Sequence, residues 1–418
     1  MAGQCPVRHD LNMFDSAFVA DPYATCPAMQ ESPVFWSSDL ECYVVTRYDE
    51  VQAVLTDHAR FSNAATNVPV TPINPEAQRV LDEAEVWFRP NLTNADAPRH
   101  TMVRRWVADA MRPRRIRALE PGVRAWAAAR VEEMVTLGTA DVYEHLCFPL
   151  PAITGFTLIG FPEADVEQLK SWCDRRVVLT YGRAAGAEQV EVAENVAAFW
   201  RYTNEFVKSR LEEPKDDLTS DLIEHHLEEP EEFSLRDVAA VLFGLSIAAH
   251  ETTTNLMTNG IRQLLTHREQ WEALMADPSL IGNAIEECLR FDGPVIGWRR
   301  RATEDVEVAG TVIPQDSVVL MLLYSANHDP RRFDGAEAFD ITRPDARSHL
   351  TFGKGTHFCS GAPMARMEMR VVLENLIEKA PGMRLVEDQV LDFVPNISQR
   401  GPRGLLVDFA PDRAPALA

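Results

Sequence analysis

The chain has 418 residues, 46% of them hydrophobic and 25% charged, with a formal net charge of −22. That composition supports a large buried core and excludes disordered and fibrous classes, while so acidic a chain lacks the basic footprint that nucleic-acid binding needs. The longest apolar run, residues 238–249, is too short to span a bilayer, and residues 1–20 lack a charged-then-apolar leader, so a cytoplasmic protein without a membrane anchor is expected.

Length alone allows two or three domains, but no Gly/Ser-rich or Pro-rich linker divides the middle of the chain. Seven cysteines, at 5, 26, 42, 147, 173, 288 and 359, are scattered, odd in number and free of C-x-x-C pairs, which fits a reducing compartment. The first strand signal is at residues 43–46. In the segment from Asp96 to Arg105, His100 and Arg104 stand four apart on one helical face, a spacing suited to joint recognition of an anion. Arg99, Arg104, Arg105, Arg112, Arg114 and Arg115 place six positive charges within seventeen residues. Arg175, Arg176 and Arg183 read either as carboxylate binders or as surface cations. The charged stretches 211–217 and 227–232 read as solvated loops.

Ser234-Leu235-Arg236-Asp237 has the form of a capping box, and helical periodicity then runs without proline to about His267, roughly 45–50 Å of helix. Leu245, Ala248, Ala249, Thr252 and Leu256 share one face of it. Thr252-Thr253-Thr254 is a poor choice for a helix interior, since β-branched residues lose χ1 freedom there, and such rule-breaking in a core helix suggests function. Glu287 and Arg290 lie three apart on the polar side of a helix whose apolar residues are Ile281, Ala284, Ile285 and Cys288, a spacing worth about 0.2–0.5 kcal/mol at a surface. Further strand signals fall at 306–313, 318–323 and 405–409.

The most informative segment is Phe352-Gly353-Lys354-Gly355-Thr356-His357-Phe358-Cys359-Ser360-Gly361, which runs straight into a helix with Pro363 in its first turn. One Phe and three Gly at set offsets around a given Cys have chance odds of about 10⁻⁵. Unpaired N–H groups and positive partial charge at a helix start stabilise a thiolate, and glycines allow a flat ligand to approach the backbone. The segment reads as a haem-iron ligand loop.

These residues resemble the haem-binding loop of the cytochrome P450 family, and the resemblance extends from about Asp21 to Phe409. It implies a mostly α (α+β) fold: one helix-rich domain with small β-sheets over residues 21–409, an N-terminal extension (1–20) and a flexible tail (410–418). It implies haem b as cofactor and Cys359 as its axial metal ligand, shielded by Phe352, with Gly361 and Ala248 against the haem and His100, Arg104, Arg300 and His357 at its propionates. Glu251 and Thr252 match the family's acid–alcohol pair for handling O2 and protons. Ala249 stands where the family most often has glycine, and its methyl is expected to crowd the oxygen groove. Glu287, Arg290 and Arg343 match a structural triad. The substrate pocket is expected to include Leu245, Ala249, Val295, Ile296, Trp298 and Ile397, lining a space for a small, largely apolar organic molecule.

No flavin, nicotinamide or iron–sulfur signature accompanies these motifs, so electrons are expected from a separate ferredoxin or flavodoxin with its reductase. Arg112, Arg114, Arg115 and Lys354 are the expected docking cations, although the arginines read equally as a solvated helix face. The expected function is a monomeric haem-thiolate monooxygenase that performs hydroxylation, epoxidation or oxidative O-dealkylation. A peroxide-driven enzyme and a non-catalytic haem sensor are the alternatives.

Overall fold

The computed structural model describes residues 11–86, 89–173 and 176–409. Helices dominate, as the periodic segments predict. Those that bear on the site are α1 (Arg99–Ala110), α2 (Pro113–Leu137), α3 (Pro149–Ile159), α4 (Arg176–Tyr181), α5 (Ala187–Glu212), α6 (Leu218–Glu228), α7 (Leu235–Thr266), α8 (Ile281–Phe291) and α9 (Ala362–Lys379). The main sheet has five strands, β1 (Val34–Ser37), β2 (Cys42–Val45), β3 (Phe61–Ser62), β4 (Gly297–Ala302) and β5 (Val318–Leu322), in spatial order β1-β2-β5-β4-β3.

Strands β4 and β5 pair antiparallel, with Arg299 opposite Leu320 and Arg300 opposite Val319. Successive side chains on a strand leave by opposite faces, so these adjacent arginines serve different sides of the sheet. Residues 306–313, expected as one strand, form a hairpin instead. Val306–Val308 pairs with Thr311–Ile313 about Ala309 and Gly310, whose φ values of 46° and 79° are those a tight two-residue turn demands.

Helix α7 runs 32 residues, and the expected capping box opens it: the Asp237 N–H donates to Ser234 Oγ while the Asp237 carboxylate accepts from the Ser234 N–H at 2.9 Å. Asp237 is buried, and Arg99 of α1 meets its charge at 2.5 Å. Two glycines let other helices close on α7. A Cβ on Gly155 of α3 would lie 2.9 Å from the Ala249 Cβ, and one on Gly260 would lie 2.6 Å from Met369 Cε of α9 and 3.2 Å from Cys288 Sγ of α8. Close helix packing at both points therefore depends on the missing side chain.

Of the charged stretch 211–217, read as a solvated loop, Leu211 and Glu212 complete α5. Asp217 is buried, caps α6 and pairs with Arg210 at 2.7 Å. Leu11, Met13 and Phe18 are buried with Phe35, Val44 and Leu320, so the described part of the N-terminal segment contributes to the core. Residues 1–10 and 410–418 and Arg175 lie outside the described residues. Among the described residues no helix is long and apolar enough to cross a membrane.

Candidate active site

The loop before α9 carries Cys359 to a helix start. Gly353 and Gly355 adopt φ of 71° and 70°, and a Cβ on Gly355 would approach His58 Nε2 to 2.7 Å, so this bend is reserved for glycine. The Cys359 N–H donates to the Phe352 carbonyl at 2.9 Å and closes the loop. Its sulfur then meets the N–H groups of Gly361 and Ala362, donors that a helix start leaves unpaired. Burial pushes the thiol up; those two N–H groups, Arg104 and Arg366 pull the other way without overcoming it. Ionisation of Cys359 therefore calls for one more positive charge, which a metal ion supplies. Cys359 keeps accessible surface, whereas the other described cysteines are buried, and burial drives Cys26, Cys42 and Cys147 up to about 12.

A charged strut that the sequence does not signal supports this loop. The Arg366 guanidinium lies 4.6 Å from the centre of the Phe352 ring and donates to both carboxylate oxygens of Glu286 in α8, at 2.6 and 2.9 Å. Burial opposes ionisation of Glu286, yet its bonds to His349 and Arg366 hold it down at about 2.

Beside the loop the structure brings together the four predicted propionate residues. The rings of His100 and His357 stack at 3.7 Å. His357 also lies 2.9 Å from Asn63 Nδ2 and 3.2 Å from the Leu92 carbonyl. Arg104 donates to the Phe358 carbonyl at 2.5 Å, and buried Arg300 donates to the Arg299 carbonyl at 2.9 Å. His58, which no sequence pattern marks, joins them with its ring 5.6 Å from that of His357. Burial lowers His100 to about 4, His357 to about 3 and Arg300 to about 10, and nearby cationic groups reinforce the shift in both histidines. Asp96, the carboxylate acting on Arg300, already accepts from the Asn63 N–H at 2.9 Å and from Ser62. Buried His100 Nε2, Arg300 Nε and His58 Nδ1 find no hydrogen-bond partner among the described residues. Unpaired donors in a buried basic cluster are complementary to a multiply charged anion. With the Cys359 sulfur alongside, the residues fit a haem presenting its propionates at this edge.

On α7, Ala248 is exposed in mid-helix, and Leu245, Ala249 and Thr252 keep part of their surface, so this stripe opens onto an interior space. Leu256, expected on the same face, is buried and closes it. The Thr252 hydroxyl donates to the Ala248 carbonyl at 2.8 Å, which commits its proton to the helix and leaves its oxygen able to accept. The expected crowding by Ala249 is corrected: its methyl is directed at Gly155 of α3, where the absence of a side chain makes room. Glu251 borders a polar cleft with His250, Asn255, Asn396, Gln399 and Arg403.

Of the predicted pocket residues, Val295 and Trp298 keep accessible surface, but Ile296 and Ile397 do not. Both isoleucines are buried with Phe35 and Leu320 in the core and are removed from the pocket lining. The triad is fully buried. Arg290 binds both Glu287 oxygens at 2.7 and 2.8 Å, and Arg343 reaches Glu287 at 3.3 Å. The two arginines also hold the carbonyls of Asn327, Ala336 and Gly335, which ties α8 to the segment leading into the thiol loop. Among the expected docking cations, Arg115 is turned inward at 11% exposure and bound to Asp216 and Asp221, and Arg112 pairs with Asp221 at 3.0 Å. Arg114 and Lys354 are exposed.

The cytochrome P450 family model matches residues 186–379. Over 404 residues the chain is 35% identical to the cytochrome P450 monooxygenase PikC of Streptomyces venezuelae, covering 95% of this chain and 93% of that protein. The solved P450 heme domain of Tepidiphilus thermophilus superposes with a TM-score of 0.92 at 34% identity, covering 97% of this chain and 98% of that one. Cytochrome P450 CREJ, solved in complex with (4-ethylphenyl) dihydrogen phosphate, gives 0.92 at 35% identity, with 96% and 99% covered. Alike over nearly its whole length in both sequence and fold, the chain belongs to the cytochrome P450 family of haem-thiolate monooxygenases.

Proposed function

We propose that the protein binds haem b and uses it with O2 to insert one oxygen atom into a small, largely apolar organic molecule, by hydroxylation, epoxidation or oxidative O-dealkylation. The observation that carries this reading is the convergence of Cys359 with a buried basic cluster whose donors await an anion. When bound, the haem supplies an iron whose thiolate ligation favours O–O cleavage.

Cys359 would ligate the iron, with Phe352 shielding the sulfur and Gly361 and Ala248 lying against the macrocycle. His100, Arg104, Arg300 and His357 would hold the propionates. Thr252, its own proton engaged by the Ala248 carbonyl, accepts a hydrogen bond at its hydroxyl oxygen and so fixes a proton at that point. Glu251 passes protons inward from the polar cleft it borders. Leu245, Val295 and Trp298 exclude water and enclose an apolar body, while the Ala249 methyl packs on Gly155. The molecule bound in CREJ, an apolar arene with one polar end, is the first candidate of that class.

Electrons come from a separate ferredoxin or flavodoxin with its reductase, and the protein acts as a cytoplasmic monomer. Arg114, Arg112 and Lys354 offer the partner positive charge, and Phe358, 39% exposed beside Cys359, offers it an apolar contact. The test is product formation with reduced partner and O2, alongside the Soret band of the reduced CO complex that reports thiolate ligation. Both are expected. Product formed equally well from peroxide without the partner would overturn the reading.

A further inference from the structure

The geometry points to a substrate that carries one anionic oxyacid group, a carboxylate or a phosphate monoester, bound between Arg176 and Arg299 beside Tyr181 and oxidised at the end remote from that charge. This deepens the function proposed above and rests on it.

Arg176 and Tyr181 bound α4. Both retain accessible surface, yet burial lowers the basicity of Arg176 and raises the Tyr181 hydroxyl. Accessible surface on a group cut off from bulk water is surface facing an enclosed space. Arg176 makes no ion pair or hydrogen bond among the described residues; its guanidinium lies over the Phe243 ring on α7, at 5.4 Å. An arginine so placed has no carboxylate bonded to it among the described residues, and Glu251 acts on it only through space.

Arg299 reaches the same corner from β4. Its guanidinium lies 5.6 Å from the Tyr181 ring and donates to the carbonyls of Thr66, at 3.2 Å, and Val68. It is 8% exposed, and its Nε is buried without a partner among the described residues. Both guanidinium groups act on the Tyr181 hydroxyl, which donates to Asn67 Oδ1 at 3.2 Å. Glu251 is the carboxylate acting on Arg176 and Tyr181, and none acts on Arg299, so among the described residues two cations stand at this corner against one carboxylate. Arg183, by contrast, is held at the surface by Asp39 at 2.8 Å and by the Phe14 ring.

Phe243, which marks the cation, and Thr252, which marks the oxygen site, are nine residues apart on α7, about 13 Å along its axis. Leu245 and Ala248 line the interval. Because Arg176 also reaches towards Glu251, that interval is an upper bound on the substrate body, which meets apolar surface until it reaches the oxidised carbon.

The experiment is a Soret spin-state titration of the ferric haem-loaded protein with para-ethylbenzoate, its neutral isostere para-ethylbenzamide, and para-ethylphenyl phosphate. At least one anion is expected to shift the band saturably and to bind on the order of 10- to 100-fold more tightly than the amide; the better anion identifies the headgroup. R176Q should abolish that preference and R176K should keep part of it. R183Q should leave it unchanged, and imidazole should bind all variants alike. Equal affinity for acid and amide, no saturable shift with either anion, or an unchanged preference in a well-folded R176Q overturns the inference. If the reduced CO complex keeps its thiolate band, the proposed haem function survives such a result; loss of that band in the unaltered protein would sink the function instead.

Discussion

Replacing Glu286 by Gln should loosen the thiolate loop without touching the thiolate. The Glu286 carboxyl drops from an ordinary 4.5 to about 2 although burial works against it, because His349 and Arg366 bind its charged form. A shift of that size corresponds to about 3.4 kcal/mol of folding stability at neutral pH. The Arg366 side chain is 34% exposed, so solvent screening trims the expected loss to about 2–3 kcal/mol. Since the folded value is depressed, the stabilisation is complete above 4.5 and vanishes as the pH falls towards 2, with about 0.8 kcal/mol already gone at pH 4. Urea unfolding of the haem-loaded protein and of E286Q, followed by far-UV circular dichroism at pH 7 and pH 4, measures both quantities. The gap between the two proteins should narrow at the lower pH, and the CO-complex band of the variant should lose thiolate character sooner in urea. A gap under about 0.5 kcal/mol at neutral pH, or one that does not change with pH, would refute the strut.

Thr252→Ala should leave the haem spectrum intact while product per electron pair falls by about tenfold or more and hydrogen peroxide appears in its place; unchanged coupling would argue for a peroxide-driven enzyme. Gly155→Ala places a methyl 2.9 Å from that of Ala249 and should cost about 1–3 kcal/mol. The double variant G155A/A249G should recover most of this in the same urea assay, and additive losses would mean that the two positions do not touch. His100 is held down at about 4 by burial, so the haem-free protein should lose stability as pH falls from 6.5 towards 4, where the unfolded chain takes up a proton that the folded one refuses. The haem-loaded protein, with propionates beside that ring, should lose less; parallel pH slopes for the two forms would show that the cluster does not hold an anion.

The thiol loop was legible because its features are local: glycines where φ must be positive, and a thiol just before a helix. The capping box of α7 follows from four adjacent residues, and its helix ends within a residue of the expected limit. Strand β4 was not legible, since Gly-Trp-Arg-Arg-Arg-Ala looks like a solvated segment until pairing with β5 and β3 sends its arginines to different faces. The hairpin at 306–313 was hidden because Ala309 rather than Asn or Asp stands in its turn. Ile296 and Ile397 were assigned to the pocket through the family resemblance, and only their packing with Phe35 and Leu320 shows which way they turn. His58, Asn63 and the Glu286–Arg366 strut are meetings of residues far apart along the chain, and no local pattern announces them.

The bond between Arg99 and Asp237 has a mechanical consequence. Arg99 stands next to His100 at the start of α1, and Asp237 is in the first turn of α7. The two helices are thus pinned at one point, and Thr252 lies fifteen residues along α7 from that pin, about 22 Å away. A straight helix is a stiff rod, so the pin works as a datum from which the height of the Thr252 hydroxyl over the propionate cluster is gauged. Any slide of α7 along its own axis must drag the foot of α1 with it, and the hydroxyl and the cofactor's anchors then keep their relative station while the body around them flexes.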